Sequence, residues 1–495
     1  MEQTTAIKRL KNPPVDYICY FCCKFFYSIL TCTELYYFSA FLTDTALFSL
    51  GIIGTIQMVT TVIDFIFSFF YGQIMESVGK HLPWGITRSW LAIAPPIVTV
   101  LFAFAFVRVS ESEVVSAVVI IIGFLASHVL WSVGECAMNA QTVNMTEDQN
   151  ERAQMSINLG RGTNGSSCVF GIIAGAFLGA FATSPLKYVY MIIVFGILYW
   201  IGFLLTFWRS KGCEPSKEEY EAKKAREKKV AEVSSRSANL LVAYKAFFTS
   251  RNGWAIFLSI LFGYCYMFLV SGTMFYYFNY TQNQGAAMGS FMSIRGVVAL
   301  IGSVFWVPVL LKLMKGNKKV TMVISYFIAA VGMFLPYLAP VRYNFVFFYV
   351  VSMLVSLLGA GGSMLQVGVL ADIGAELTYK HKKELNNYTI SFLMLPLKLS
   401  LILRSALITA VIGMTGYTEW LAAGQPDSGL QTVRDGMALG YCAIPALLAV
   451  IAGLSMLFIY KLPEEKAHEY VLANKKDAEE NEARVNAILA ERGEL

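Results

Sequence analysis

Three ionisable residues inside long apolar stretches, Asp64, Glu135 and Lys398, have the types and setting to do chemistry. A charge at the centre of a bilayer costs at least about 2.5–3.5 kcal/mol on insertion scales, so each one needs a reason to be there. Polar residues accompany them at helical spacing. Gln57, Thr60, Thr61, Asp64 and Ser68 fall on one face, as do Trp131, Ser132, Glu135 and Asn139. Lys24, Ser28 and Thr31 make a third stripe, with Glu34 turned aside. Ser391, Lys398 and Ser405 lie seven apart, and Ser352, Ser356, Ser363 and Gln366 form a fifth stripe around Gly359. A lone Ser or Thr can simply bond its own helix backbone. Stripes on at least five helices predict a wet central cavity instead. Burial and mutual repulsion favour a protonated carboxyl there, and a nearby ammonium favours the ionised one. Such a group can take up and release a proton as the cavity opens to alternate sides. The alternative is that the carboxylates hold Na⁺, which prefers several oxygen ligands. Either ion supplies the differential interaction that ties binding to a conformational change.

The elements that position these residues follow from composition. The chain has 495 residues, 56% hydrophobic and 14% aromatic, and only 15% are charged, against roughly 25% in a soluble domain. Mean hydropathy is +0.56. The charges are uneven: 17 fall in 209–251 and 15 in 461–495. Between them run twelve apolar blocks, the first near 17–43 and the last near 437–460, each long enough to cross a bilayer as a helix. The sequence therefore predicts an all-α polytopic membrane protein of twelve transmembrane helices in two six-helix halves. Lys8, Arg9, Lys11, Lys80, Arg88 and the run from Arg209 to Arg251 fall on one side, which places both termini in the cytoplasm. The expected layout is a cytoplasmic tail over 1–16, a six-helix half over 17–208 and a helical linker over 209–253. A second six-helix half over 254–460 and a charged helical tail over 461–495 complete it. Gly171, Gly175 and Gly179, four apart, predict a close helix contact.

Several classes drop out. The +6 net charge sits in loops between apolar blocks, so it reads membrane topology rather than nucleic acid. The nine cysteines are scattered, and Cys19, Cys22 and Cys23 lie in an apolar run where they pack as small hydrophobes. The polar N-terminus does not read as a cleavable signal peptide. No metal cluster, nucleotide loop or nucleophile–base set suggests an enzyme, and no cofactor is expected beyond a coupling ion, H⁺ or Na⁺. Of the four histidines only His128 lies well inside a span; it reads as a hydrogen-bonded interior residue or a proton relay.

In order along the chain come LTD ending the first span, GTIQMVTTVID in the second and the Pro83-Trp84 pair. TEDQNER follows the fourth span, LADIGAELTYK the tenth, and LKLSLILRSALITAVIGMTGY covers the eleventh. With these marks the sequence resembles the glycoside–pentoside–hexuronide cation symporters of the major facilitator superfamily, over nearly its whole length. The resemblance implies that Asp64 is the first acid of the cation site. Glu135 stands where the family has an aspartate shared between cation and substrate, Ser132 gives the hydroxyl one turn before it, and Lys398 matches a lysine near the cation site. Three departures matter. Ser68 stands at the second acid and Phe67 at the amide beside it. Ser28 replaces the carboxylate that would hold a galactoside, and the sugar-site arginine falls at Gly160, with Arg161 one residue late.

The expected function is cation-coupled symport of a sugar, glycoside or uronic-acid-type solute by alternating access, with H⁺ favoured over Na⁺ because cation ligands are lost. The coupling set is Asp64, Ser68, Ser132, Glu135 and Lys398. The substrate set is Lys24, Ser28, Trp131, Glu135, Asn139, Arg161, Arg295, Ser363 and Gln366. Lys24 and Arg295 lack an obvious acid on their own helix face: each either pairs with an acid from another helix or points into the cavity to meet an anionic solute. The alternatives are a facilitator or antiporter of a non-sugar metabolite, and a non-transporting membrane sensor. The partners expected are a small polar solute and the bilayer, with the protein acting as a monomer in the cell membrane.

Overall fold

The computed structural model describes residues 8–146, 148–214, 217–234 and 236–492. The first seven residues of the expected 1–16 tail, Glu147 of the TEDQNER stretch, three positions of the linker and the last three of the tail lie outside them. The described residues form helices and turns, with no strand among them. Eleven helices are long and apolar enough to cross a membrane. They are α1 (Pro13–Thr45), α2 (Leu50–Phe67), α5 (Glu113–Met145), α6 (Gln149–Ala180), α7 (Lys187–Arg209), α10 (Arg251–Thr281), α11 (Gly285–Leu313), α12 (Lys318–Tyr337), α13 (Phe345–His381), α14 (Tyr388–Thr415) and α15 (Asp427–Ile459). The third apolar block forms α4 (Arg88–Phe104), shorter at 17 residues and carrying Pro95 and Pro96 inside it. The stretches outside these helices supply α3 (Tyr71–Gly79), the charged α8 (Lys217–Val233), the short apolar α9 (Leu240–Thr249) and the tail helix α16 (Glu464–Glu491).

The chain divides into two compact units. One holds residues up to Glu219 together with Val270–Val297 and Ser405–Tyr441; the other holds Tyr220–Leu269, Val298–Arg404 and Cys442–Leu495. Close helix approach in the first unit uses glycine. A Cβ on Gly171 would stand 2.3 Å from the Gly289 carbonyl oxygen of α11, so only hydrogen fits. Gly175 meets the same glycine at ordinary contact distance, while Gly179 faces open space. The expected stripe is thus used over two of its three positions.

Charged ends are tied off at both units. In the first, Arg209 donates to Asp16 at 2.6 Å, and Glu214 accepts from the Thr87 and Arg88 backbone amides at 2.6 and 3.0 Å. Thr146 and the Leu10 amide both donate to Glu151, at 2.6 and 2.9 Å. In the second, Lys318 pairs with Asp372 and Glu464, and Glu376 accepts from Asn252 and Lys380. The tail helix α16 lies on this unit. Tyr470 stacks on Tyr379 with ring centroids 4.8 Å apart, Asn474 donates to the Ala375 carbonyl at 2.8 Å, and Val485 and Leu489 are buried.

The buried Arg236 guanidinium reaches the Asn474 carbonyl and Glu384, with Asp477 at 4.0 Å. Lys382, hydrogen-bonded to Asp477 at 2.9 Å, holds that carboxyl below the usual carboxylate range, and Arg236 and Lys476 add to the effect. A lowered carboxyl stabilises above its unfolded value and loses its contribution as pH falls through the folded one. Protease sensitivity of α16 should therefore rise as pH drops below about 3.9, and Asp477→Asn should reproduce part of the rise at neutral pH. Added salt should act in the same direction, since Lys382 and Asp477 reach solvent.

Candidate functional site

The first unit gathers a polar cluster between α1 and α5. Lys24 of α1 donates to the Glu135 carboxylate of α5, and the Tyr27 hydroxyl donates to its other oxygen at 2.7 Å. The Lys24 ammonium also lies 4.1 Å from the centroid of the Tyr27 ring, a cation–π contact. Tyr27 in turn meets Trp131 and Tyr199 edge-on, at 5.6 and 5.9 Å between ring centroids. The Trp131 ring nitrogen and the Tyr199 hydroxyl are buried without a hydrogen-bond partner. Two buried donors thus stand unmet beside a carboxylate and an ammonium, and an unmet buried donor costs about 1–3 kcal/mol.

The chain sets Lys24 in place through glycines on two neighbours. A Cβ on Gly162 of α6 would come within 2.6 Å of the Phe21 carbonyl and 3.1 Å of Lys24 Cβ, and one on Gly202 of α7 within 3.0 Å of the Cys22 carbonyl. Both helices press against α1 at the level of Lys24. Of the two possibilities for this lysine, pairing with an acid from another helix is the arrangement found.

Asp64, buried in α2, accepts from the Tyr71 hydroxyl, and Ser132 hydrogen-bonds the same phenol. Ser68 follows the last residue of α2 and donates to the Phe65 carbonyl at 2.6 Å. The residues expected to couple in this unit thus form two groups: Asp64 with Tyr71 and Ser132, and Glu135 with Lys24 and Tyr27. Ser28 is buried on α1, 3.4 Å from the Thr163 hydroxyl of α6. Asn139 and Arg161 are exposed, Arg161 donating to Asn158 at 3.4 Å. Arg295 is half-buried on α11, beside Tyr36. In the second unit, Lys398 is half-buried on α14, Ser363 is exposed, and buried Gln366 donates to the Tyr326 hydroxyl at 3.0 Å.

Two arrangements escaped the stripe reading. Glu34, turned aside from its stripe, meets the His128 ring nitrogen Nε2 at 2.9 Å. The LTD mark acquires a contact: Asp44 accepts from the Tyr280 and Tyr417 hydroxyls at 3.0 and 2.9 Å, while Thr43 lies 2.9 Å from the Tyr276 hydroxyl. Asp44 and Tyr280 each sit in a π-helical turn, Phe41–Thr45 and Tyr277–Thr281. Such turns shift the register of the side chains beyond them, which a regular helical wheel misses.

The sequence matches the profile of the MFS/sugar transport protein family over residues 19–464. The chain belongs to that family. It is accordingly a multi-pass membrane transporter of the major facilitator type. No curated protein matches the sequence. Solved structures share the fold of this family member at low identity. The D-xylose-proton symporter superposes with a TM-score of 0.62 at 12% identity, over 92% of this chain and 98% of that one. The nucleoside transporter NupG gives 0.59 at 14%, over 90% and 100%. A bacterial homolog to the human lysosomal transporter Spinster, inward-facing and unoccupied, gives 0.58 at 12%, over 93% and 98%.

The Asp44 cluster is open to direct test. Asp44→Ala leaves two phenols without their shared acceptor and should cost about 1–3 kcal/mol, whereas Tyr280→Phe, losing a single neutral donor, should cost about 0.5–1.5 kcal/mol. Thermal unfolding in detergent reads the order; equal effects of the two changes would contradict it.

Proposed function

We propose that the protein is a proton-coupled symporter that imports a sugar, glycoside or uronic-acid-type solute across the cell membrane by alternating access, as the glycoside–pentoside–hexuronide cation symporters it resembles do. The observation that carries this reading is the engagement of Glu135 by Lys24 and Tyr27. A proton taken onto Glu135 cancels the charge that holds the Lys24 ammonium. The ammonium is then available to a carboxylate on the solute. Release of the solute lets Glu135 give up its proton and recapture Lys24. One proton thus accompanies one anionic guest, and neither an empty ammonium nor an empty carboxylate is left in low dielectric. Trp131 and Tyr199 offer their unmet donors to the hydroxyls of the same guest. The sugar description of the family and a D-xylose-proton symporter among the fold neighbours support the solute class and the ion.

Na⁺ is the less suitable ion for this donor set. It needs several free oxygens, yet Asp64 and Glu135 each accept from a phenol, and the Ser68 hydroxyl is turned to a backbone carbonyl. Asp64, with Tyr71 and Ser132, forms the second coupling group. Lys398 is assigned to coupling on the resemblance, and Arg295 and Arg161 to the approach of an anionic solute.

Reconstituted vesicles test the reading. Uptake should respond to an inward pH gradient in Na⁺-free buffer; strict dependence on Na⁺ with no response to pH would overturn it. Asp64→Asn should abolish uphill accumulation and keep some downhill exchange. Uronic acids should inhibit uptake more than the matching neutral sugars. Lys24→Ala should weaken that inhibition roughly 10-fold or more, as loss of a charged hydrogen bond worth about 1.5–3 kcal/mol implies. Glu135→Gln, locked in the neutral state, should bind uronic acids with little dependence on pH.

A further inference from the structure

We infer that Glu34 and His128 form a second proton-binding site, one level along the same two helices from Glu135. The geometry of the imidazole leads there. Its Nδ1 lies 2.9 Å from the Phe124 carbonyl oxygen, and its Nε2 lies 2.9 Å from Glu34 Oε2. Ser127 Oγ stands 3.4 Å from Nδ1 and only 2.7 Å from the same Phe124 carbonyl, its nearer acceptor. Both ring nitrogens therefore face acceptors. A neutral imidazole carries one N–H and an ionised carboxylate carries none. Neutral histidine beside ionised glutamate would leave one nitrogen pressed against an acceptor with no hydrogen between them. The arrangement is complete only with one added proton, held as an imidazolium between carbonyl and carboxylate or as a carboxylic acid donating to Nε2.

The surroundings keep that proton from bulk water. The two side chains are only 12% and 15% exposed. Phe124 stacks on the imidazole at 3.8 Å between centroids, Phe102 of α4 meets its edge at 6.0 Å, and Trp131 lies 5.5 Å away. Beyond Trp131 stand Lys24, Tyr27 and Glu135, with Tyr199 of α7. On α1 the neighbouring titratable groups are Cys32 and Tyr36, the latter facing Arg295 of α11. The other helices against α5 bring Asp64 on α2, held by Tyr71 of α3, Glu76 on α3, Arg88 at the start of α4, and Arg161 and Cys168 on α6.

Spacing turns the pair into a second rung. His128 precedes Glu135 by seven residues on α5, and Glu34 follows Lys24 by ten on α1, so antiparallel helices are bridged twice. When the proton leaves and Nδ1 keeps its hydrogen for the Phe124 carbonyl, Nε2 and Oε2 become two acceptors at hydrogen-bond distance and repel. The rung opens, and loss of a proton becomes a separation of α1 from α5 at that level. This role in transport rests on the proton-coupled reading above; the existence of the titrating pair does not.

The test is solid-state NMR of the full chain, ¹⁵N-labelled at histidine and reconstituted in lipid. The four histidines are sorted by subtracting the spectrum of His128→Gln. In the parent, the His128 ring nitrogens should show a pH transition that Glu34→Gln removes or moves by about one pH unit or more, and that Glu34→Asp largely restores. Asp64→Asn should leave it in place. A transition identical in the parent and in Glu34→Gln overturns the site, as does the absence of any transition. Uptake that ignores a pH gradient while the transition persists removes the proton-coupled reading and leaves the site standing. Gradient-driven uptake without the transition removes the site alone.

Discussion

An ammonium placed among apolar helices has to find a counter-charge, and for Lys24 that charge is the Glu135 carboxylate. Much of the first unit is arranged around this need. The lysine and the acid come from different helices, so α1 must hold a fixed height and rotation against α5. Gly162 and Gly202 let α6 and α7 press on the backbone of α1 within a turn of Lys24, leaving it little room to slide. Tyr27 then serves both partners, through its hydroxyl to the acid and its ring face to the ammonium. Aromatic neighbours close around the group and lower the local dielectric, which strengthens the pairing and raises the cost of leaving either charge alone.

The same rule of neutralised charge governs the ends of the helices, with a different outcome. There the acids of the TEDQNER and LADIGAELTYK stretches meet lysines, arginines and backbone amides from neighbouring connections. Those of these contacts that reach water are individually weak. Their effect is geometric: each joins the end of one helix to the start of another, and in the second unit they bring the tail helix onto the transmembrane helices through Glu464 and Asn474. Charge in the interior is paired across helices among aromatic rings, and charge at the ends works as a fastener.

How much of this was legible in the sequence varied with the range of the interaction. Hydropathy located the twelve apolar blocks, including the third, which forms only a 17-residue helix with two internal prolines. Helical spacing grouped Asp64 with its stripe and Glu135 with Trp131 and Ser132, because residues three or four apart share a face whatever the tertiary packing. Spacing carries no information about partners on other helices. Lys24 therefore stood without an acid, Glu34 looked misplaced and His128 had two open readings. The π-helical turn at Phe41–Thr45 added a further obstacle, since it rotates Asp44 off the wheel drawn for the rest of α1. Tyr71, which holds Asp64, lies beyond the end of α2 and outside any stripe.

Asp44 has a consequence for any separation of α1 from its neighbours. Its ligands are neutral hydroxyls, Thr43 beside it and Tyr280 and Tyr417 from distant stretches of the chain. Parting α1 from those tyrosines exchanges no charge with another side chain. It strips an anion of its donors and leaves the vacated positions to water, so separation and wetting have to proceed together. The threshold for such a separation is then a solvation threshold. It is governed by how readily a few water molecules can reach one carboxylate, and much less by the screening that governs the ion pairs at the other end.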